Sequence, residues 1–313
     1  MKKYFENKIT SAFIALFAMF LWGSAIPLIK TSYQIFHIPG DDIGAKILLA
    51  GYRFFGAGLI VLVYKWLFDR EKIDYRKINI KLLFAISLVQ ISLQYGFYYI
   101  GLSNTDGVKA AIVQGLNPLI IVVLAHFVFV DDRITLKKAI ALCIGLIGVL
   151  ISNISNLSGL TGFQFTFSGE GFILCSTFFN ALGTIMMRKY GQDQNSYIVS
   201  IFQFIFGSSI LIIIGKFTSQ TELVFHWKGI LLLLYGSFIS STAFLLWYLL
   251  LKYQKAGNIG IFKLFIPIFG SILSILFLGE SYNMTLFIAL LLTSFATLFL
   301  NSNLMEKRED SSL

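Results

Sequence analysis

The chain has 313 residues, 57% of them hydrophobic and only 13% charged, and its 25 Lys and Arg outnumber 16 Asp and Glu for a net charge of +9. A soluble chain averages about 25% charged residues, so a soluble enzyme is excluded, and apolar stretches this long leave no polar face on which basic side chains would gather against nucleic acid. The two cysteines, Cys143 and Cys175, both lie in apolar runs and make neither a disulfide framework nor a metal cluster.

A bilayer core about 30 Å thick takes about 20 apolar residues per helix. Ten windows of that kind predict membrane helices near residues 10–31, 45–67, 82–101, 107–129, 135–153, 170–188, 196–217, 228–251, 257–278 and 284–302. The first follows Lys2, Lys3 and Lys8 as a signal peptide would. Trp22, Pro27 and Lys30 replace a small-residue cleavage site, however, so it reads as a retained helix. With the N-terminus inside, eighteen of the 25 basic residues fall in cytoplasmic loops and ends, five fall outside, and Arg53 and Lys263 lie within spans. That asymmetry is the one expected of a multi-pass protein with both termini in the cytoplasm. Residues 303–313 then form a cytoplasmic tail.

A shift of 149 residues brings the two halves into partial register. Tyr98-Tyr99 meets Trp247-Tyr248, Gln114 meets Lys263, Pro118 meets Pro267 and Asp131 meets Glu280. A shift of 150 places Arg53-Phe54 on Gln203-Phe204, and about 158 places Lys30 on Arg188. The expected domains are therefore two five-helix repeats, 1–153 and 170–302. Because five is odd, the second enters the membrane upside down relative to the first. Inverted repeats of this kind enclose the midplane binding sites of many secondary transporters. The fold class is an all-α membrane protein of ten helices.

Several of these segments resemble the drug/metabolite transporter superfamily, EamA type, whose members have ten helices in two five-helix repeats. They are Leu21-Trp22-Gly23-Ser24 followed by Lys30, Arg53-Phe54, Pro118, Gly169 with Asn180-Ala181-Leu182-Gly183 and Arg188, and Pro267 with Gly279-Glu280. One departure is Val130-Asp131, where the first repeat often has Gly-Glu. The resemblance implies export or exchange of small metabolites, amino acids among them, and it fits a bacterial inner-membrane protein.

A charge at bilayer depth costs at least roughly 2.5–3.5 kcal/mol, so buried ions usually face a cavity or a partner. Lys263, one turn before Pro267, either meets an anionic group of a substrate or snorkels to the cytoplasmic interface. Arg53 either binds an anion or closes an outer gate, or it bonds backbone carbonyls of a neighbouring helix, which the Arg-Phe motif favours. Pro118 and Pro267 each remove a helical hydrogen bond and are candidates for gating kinks. Candidate cavity residues are Trp22, Tyr95, Tyr98, Gln114, Asn180, Gln203 and Trp247, with Gln90, Gln94 and Tyr248 behind them. Gly56 with Gly58, Gly145 with Gly148, and Gly236 with Ser240 suit close helix packing.

No Asp or Glu falls mid-span: Asp131, Glu170 and Glu280 sit at span ends, and Asp106 lies in a short loop. The coupling mode therefore stays open between uniport, exchange and protonation of another group. His126, near the cytoplasmic end of the fourth helix, reads as a satisfied interface residue. There is no Walker loop, no metal spacing and no nucleophile–base–acid set, so no cofactor and no enzyme activity are expected. The favoured reading is an alternating-access transporter of a small, carboxylate-bearing metabolite such as an amino acid. Its partners are that substrate and the bilayer, with no nucleic acid, as a monomer or a homodimer. A lipid-linked metabolite flippase, an intramembrane enzyme and a non-transporting sensor remain as alternatives.

Overall fold

The structure, a computed structural model, describes residues 2–69, 78–130, 133–152, 154–156, 161–163, 165–191, 193–254, 261–281 and 284–301. After a helical turn at Lys2–Glu6 come α1 (Lys8–Ile35), α2 (Ile43–Phe68), α3 (Ile80–Ser103), α4 (Gly107–Val128) and α5 (Leu136–Ser152). Then follow α6 (Phe167–Tyr190), α7 (Ser196–Thr218), α8 (Trp227–Tyr253), α9 (Phe265–Leu278) and α10 (Met284–Asn301). Between α5 and α6, Ile154–Asn156 pairs antiparallel with Thr161–Phe163. Seven helices, α1 to α4 and α6 to α8, are long and apolar enough to cross a membrane, and α9 and the first part of α10 are shorter apolar helices. Asp131, the repeat partner expected for Glu280, and the tail at 303–313 lie outside the described residues.

Side chains satisfy the first-turn amides that helices leave unpaired. Asn7 Oδ1 accepts from Ile9 N–H at 3.0 Å and Thr10 N–H at 3.1 Å, and Asn79 and Asn195 cap α3 and α7 in the same manner. Asp42 works twice. It caps α2 through the N–H of Ala45 at 2.8 Å, and it accepts from Gln220 N–H at 3.1 Å and Thr221 N–H at 2.8 Å beyond the end of α7. Burial of this carboxyl alone would raise its pKa. The amide donors of Ala45, Thr221 and Gln220, with the Thr221 side chain, outweigh that and hold it below the usual carboxylate value.

In the packing, α1 lies against α8 and α9, α2 against α7 and α8, α3 against α6 and α7, α4 against α6 and α9, and α5 against α10. Lipid is as apolar as a Leu side chain, so such contacts depend on close fit rather than on expelling water. Between α2 and α7 the fit requires glycine. A Cβ on Gly51 would lie 2.6 Å from Ile212 Cγ1, and one on Gly215 would lie 2.6 Å from Leu48 Cα. Beside them, fully buried Phe54 and Phe204 stack at 5.9 Å. Truncating either buried ring to Ala is worth about 3–5 kcal/mol. Outside this core, large apolar side chains such as Trp66, Phe127, Phe217 and Phe277 are exposed, as a lipid-facing surface requires.

Three helices are interrupted. α4 consists of Gly107–Gln114 and Asn117–Val128, joined by a turn at 115–116. Pro118 has no N–H, so the Gln114 carbonyl four residues earlier loses its helical donor. At α9, Pro267 does the same to Lys263, and the residues before the helix, Ile261–Leu264, form a 3-10 turn. The two breaks therefore fall at equivalent places in the 149-residue register. α3 widens into a π-helical stretch at Leu88–Leu93, just before Gln94 and Tyr95.

Candidate functional site

The breaks of α4 and α9 and the π-helical stretch of α3 converge on a cavity of about 90 Å³ in the middle of the bundle. Among the described residues, its wall comes from α1, α2, α3, α4, α6 and α8 and from the residues around the start of α9, and none of it from α5, α7 or α10. Of the residues selected from the sequence, Trp22, Arg53, Tyr95, Tyr98, Gln114, Pro118, Asn180 and Lys263 line this space. Trp247, Gln203 and Pro267 do not. Trp247 is buried behind Lys263 and Trp22, and Pro267 is buried on the side of its helix that faces Gly115. Gln203 sits on α7, which packs behind α2, and it is fully buried. Its Oε1 accepts from the Tyr248 hydroxyl at 3.2 Å, which also reaches Gln90 Oε1 at 2.8 Å, while Gln203 Nε2 has no partner among the described residues.

One wall is a chain of polar side chains from four segments. Lys263 Nζ donates to Asn117 Oδ1 at 3.3 Å. Asn117 Nδ2 donates to Asn180 Oδ1 at 2.9 Å and to the Thr177 carbonyl at 3.3 Å, and Asn180 Nδ2 donates to Gln94 Oε1 at 3.2 Å. Asn117 is absent from the residues chosen by sequence, although it directly precedes Pro118 and follows Gln114 by three. A polar side chain beside a helix-breaking proline in an apolar span was the available signal. Ser176, Thr177 and Phe244 also line the cavity, and their sequence context carries no such mark.

The ammonium of Lys263 stands 5.1 Å from the Trp247 ring centroid, a distance at which the ring face attracts a cation. Beyond Trp247, Trp22 lies 5.9 Å away edge-on and Phe244 a further 5.3 Å. Among the described residues, no Asp or Glu lines the cavity. A half-buried cation without an acid beside it is held by dipoles and rings, so a bound anion would gain more there than in water.

Arg53, also on the cavity wall, is buried with part of its fork engaged by protein. Nε donates to the Gly236 carbonyl at 3.0 Å, Nη1 donates to the Tyr99 hydroxyl at 3.2 Å, and the guanidinium lies 5.2 Å from the Phe54 ring centroid. The Tyr33 hydroxyl donates to the Tyr99 carbonyl at 2.6 Å. This network ties α1, α2, α3 and α8 together, so the backbone-carbonyl bond and the cavity position coexist in one residue. Farther along the same direction, Glu280 takes the Lys30 ammonium at 3.0 Å and the N–H groups of Gly107 at 2.7 Å and Val108 at 2.9 Å. The N-terminus of α4 therefore receives its carboxylate cap from the chain just past α9, next to Gly279 with its φ of +65°. Opposite, His126 Nδ1 accepts the Ile134 N–H at 3.1 Å, which occupies that nitrogen structurally.

Among known proteins, the sequence pattern of the EamA-like transporter family matches residues 9–154 and again residues 167–302. The uncharacterized transporter YetK of Bacillus subtilis is 24% identical over 295 residues, covering 91% of this chain and 84% of its own. A WAT1-related protein of Arabidopsis thaliana, described as chloroplastic, is 24% identical over 276 residues, covering 84% of this chain and 63% of its own. A solved crystal structure shares the fold with a TM-score of 0.69 at 15% identity, covering 96% of this chain and 99% of that one.

Proposed function

The chain belongs to the EamA-like transporter family, and we propose that it is a ten-helix secondary transporter, an exporter or exchanger, that carries a small carboxylate-bearing metabolite by alternating access. The observation that carries this reading is the Lys263 ammonium, which lines the cavity with one neutral amide acceptor at 3.3 Å and, among the described residues, no acid beside it.

The ten-helix, inverted-repeat architecture draws support from the packing. Exchanging each helix of the first five with its counterpart in the second turns the α1–α8 contact into α6–α3, α1–α9 into α6–α4, and α2–α8 into α7–α3. All of these contacts are present, and α2–α7 and α5–α10 map onto themselves. The repeats are 1–153 and 170–302, with the cavity at their interface, as in other carriers built this way. The basic residues orient both termini toward the cytoplasm of a bacterial inner membrane.

In this arrangement the Arg53–Tyr99–Tyr33 network and the Lys30–Glu280 pair close the outer side. Gln114 and Lys263, each four residues before a proline, stand at the two breaks where the halves hinge. Carboxylate binding at Lys263 changes the relative stability of the inward- and outward-open states, which is the free energy that drives the exchange. Flux of radiolabelled amino acids and other carboxylates in proteoliposomes, wild type against Lys263→Ala, tests this. Loss of flux in a folded variant is expected; undiminished flux removes Lys263 as the ligand.

A further inference from the structure

The cavity holds two cations rather than one, and each has donors to spare. Lys263 uses one of its three N–H bonds, on Asn117. Arg53 uses two of its five, on Gly236 and Tyr99. Among the described residues, none that lines the cavity carries a negative charge.

Among the lining rings, Trp22 lies 5.3 Å from Phe244, and Phe244 lies 6.5 Å from Tyr95. Trp247, behind the wall, stands 5.1 Å from the Lys263 ammonium. A ligand that meets both cations therefore shares the cavity with these rings and with the neutral amides of Gln94, Gln114, Asn117 and Asn180. Its two ends meet donors only: an ammonium at Lys263 N–H or at the Arg53 fork would face like charge, whereas a carboxylate would take charge-assisted hydrogen bonds at either. The planar Arg53 fork, on a residue that lines the cavity, matches the geometry of a carboxylate.

We propose that the site takes a dicarboxylate, one carboxylate on Lys263 and the other on Arg53. This rests on the transport reading above and narrows its substrate from carboxylates in general to net anions with two charged ends. Zwitterionic amino acids, which bring one carboxylate and one ammonium, are then poor ligands.

The test is equilibrium binding to the full-length protein in lipid nanodiscs, read by calorimetry and thermal shift. The probes are succinate, adipate, suberate and terephthalate, each against a matched monocarboxylate, with 6-aminohexanoate and leucine as zwitterions. At least one dicarboxylate is expected to bind about tenfold or more tightly than its monocarboxylate and than both zwitterions, since one charge-assisted bond is worth at least that factor. Lys263→Gln is expected to erase that preference, bringing each dicarboxylate down to the affinity of its matched monocarboxylate. Arg53→Lys, which keeps the charge and removes the fork, is expected to weaken dicarboxylates without unfolding the chain. Equal or tighter binding of leucine or 6-aminohexanoate overturns the two-anion site and leaves carboxylate transport standing. A dicarboxylate preference that survives Lys263→Gln overturns it as well. If no probe binds and proteoliposome flux is flat for every carboxylate, both readings fall together.

Discussion

Phe54 of α2 and Phe204 of α7 stack with ring centroids 5.9 Å apart and planes 19° from parallel, and the 150-residue shift aligns these two positions in the sequence. Around them the pattern repeats with altered chemistry. Arg53 donates to the Tyr99 hydroxyl at 3.2 Å, and in the other half the Tyr248 hydroxyl donates to Gln203 at 3.2 Å. The first half thus places a charge where the second places an amide. That substitution gives the cavity its second cation on one side only.

Lys263→Met is expected to abolish carboxylate flux while leaving the melting temperature unchanged or higher. Among the described residues the half-buried ammonium has a single neutral acceptor at 3.3 Å, so holding the charge at membrane depth costs more than the bond returns, and an apolar side chain of similar length removes that cost. Differential scanning fluorimetry beside a flux assay separates the two effects; a large fall in stability would show that Lys263 holds the fold together.

Asn117→Asp places a carboxylate 3.3 Å from Lys263. The internal ion pair then competes with an anionic substrate, so affinity is expected to fall at least about tenfold, the equivalent of roughly 1.4 kcal/mol. Asn117→Ala instead leaves Asn180 and Lys263 short of a partner and should cost about 1–3 kcal/mol of stability. Calorimetric titration with a carboxylate probe, alongside thermal melts, distinguishes these outcomes.

Pro118→Ala and Pro267→Ala restore the N–H groups missing at the breaks of α4 and α9. Each variant is expected to melt higher and to transport several-fold more slowly, because the carbonyls of Gln114 and Lys263 regain helical donors and the hinges stiffen. Faster transport in either variant would count against a hinge at that proline.

Glu280→Gln unties Lys30 and weakens the cap on the Gly107 and Val108 amides, bonds of 3.0, 2.7 and 2.9 Å. The expected cost is about 1–3 kcal/mol, taken mainly from the state that is closed on this side. With Cys143 and Cys175 replaced and a single cysteine at position 114, labelling by a membrane-impermeant thiol reagent added outside should accelerate. An unchanged labelling rate would mean that Glu280 does not hold this face shut.

Asp42 gives a pH signature. Its folded pKa lies below the ordinary carboxylate value because Ala45, Thr221 and Gln220 amides outweigh the effect of burial. Its contribution is therefore complete above that ordinary value and is lost as pH falls through the lowered one. Hydrogen exchange at the amides of Ala45, Gln220 and Thr221 should accelerate as the solution is acidified across this range, and Asp42→Asn should flatten that dependence.

Most of the membrane helices are legible in the sequence because a span is a matter of length and apolar content. α1 to α4 and α6 to α8 coincide with seven of the ten windows within a few residues. The breaks at Pro118 and Pro267 are legible for a similar reason: proline lacks a donor wherever it stands. Facing is not legible. In water, the apolar stripe of a helix marks its buried side; in lipid, the outer surface is as apolar as the core. Trp247 and Gln203 therefore looked as suitable for the cavity wall as Trp22 and Gln94, and Asn117 went unmarked.

The sequence by itself determined that this chain lives in a bilayer, where its helices run, which positions repeat, and that Arg53 and Lys263 are its only basic residues in mid-span. Those properties follow from local composition and from the cost of burying charge. Only the tertiary structure decided that both cations share one cavity, that Asn117 and Asn180 link Lys263 to Gln94, and that Glu280 caps a helix begun about 170 residues earlier. Such contacts depend on how far each helix is rotated about its axis, and glycine-mediated fits such as Gly51 on Ile212 set that rotation.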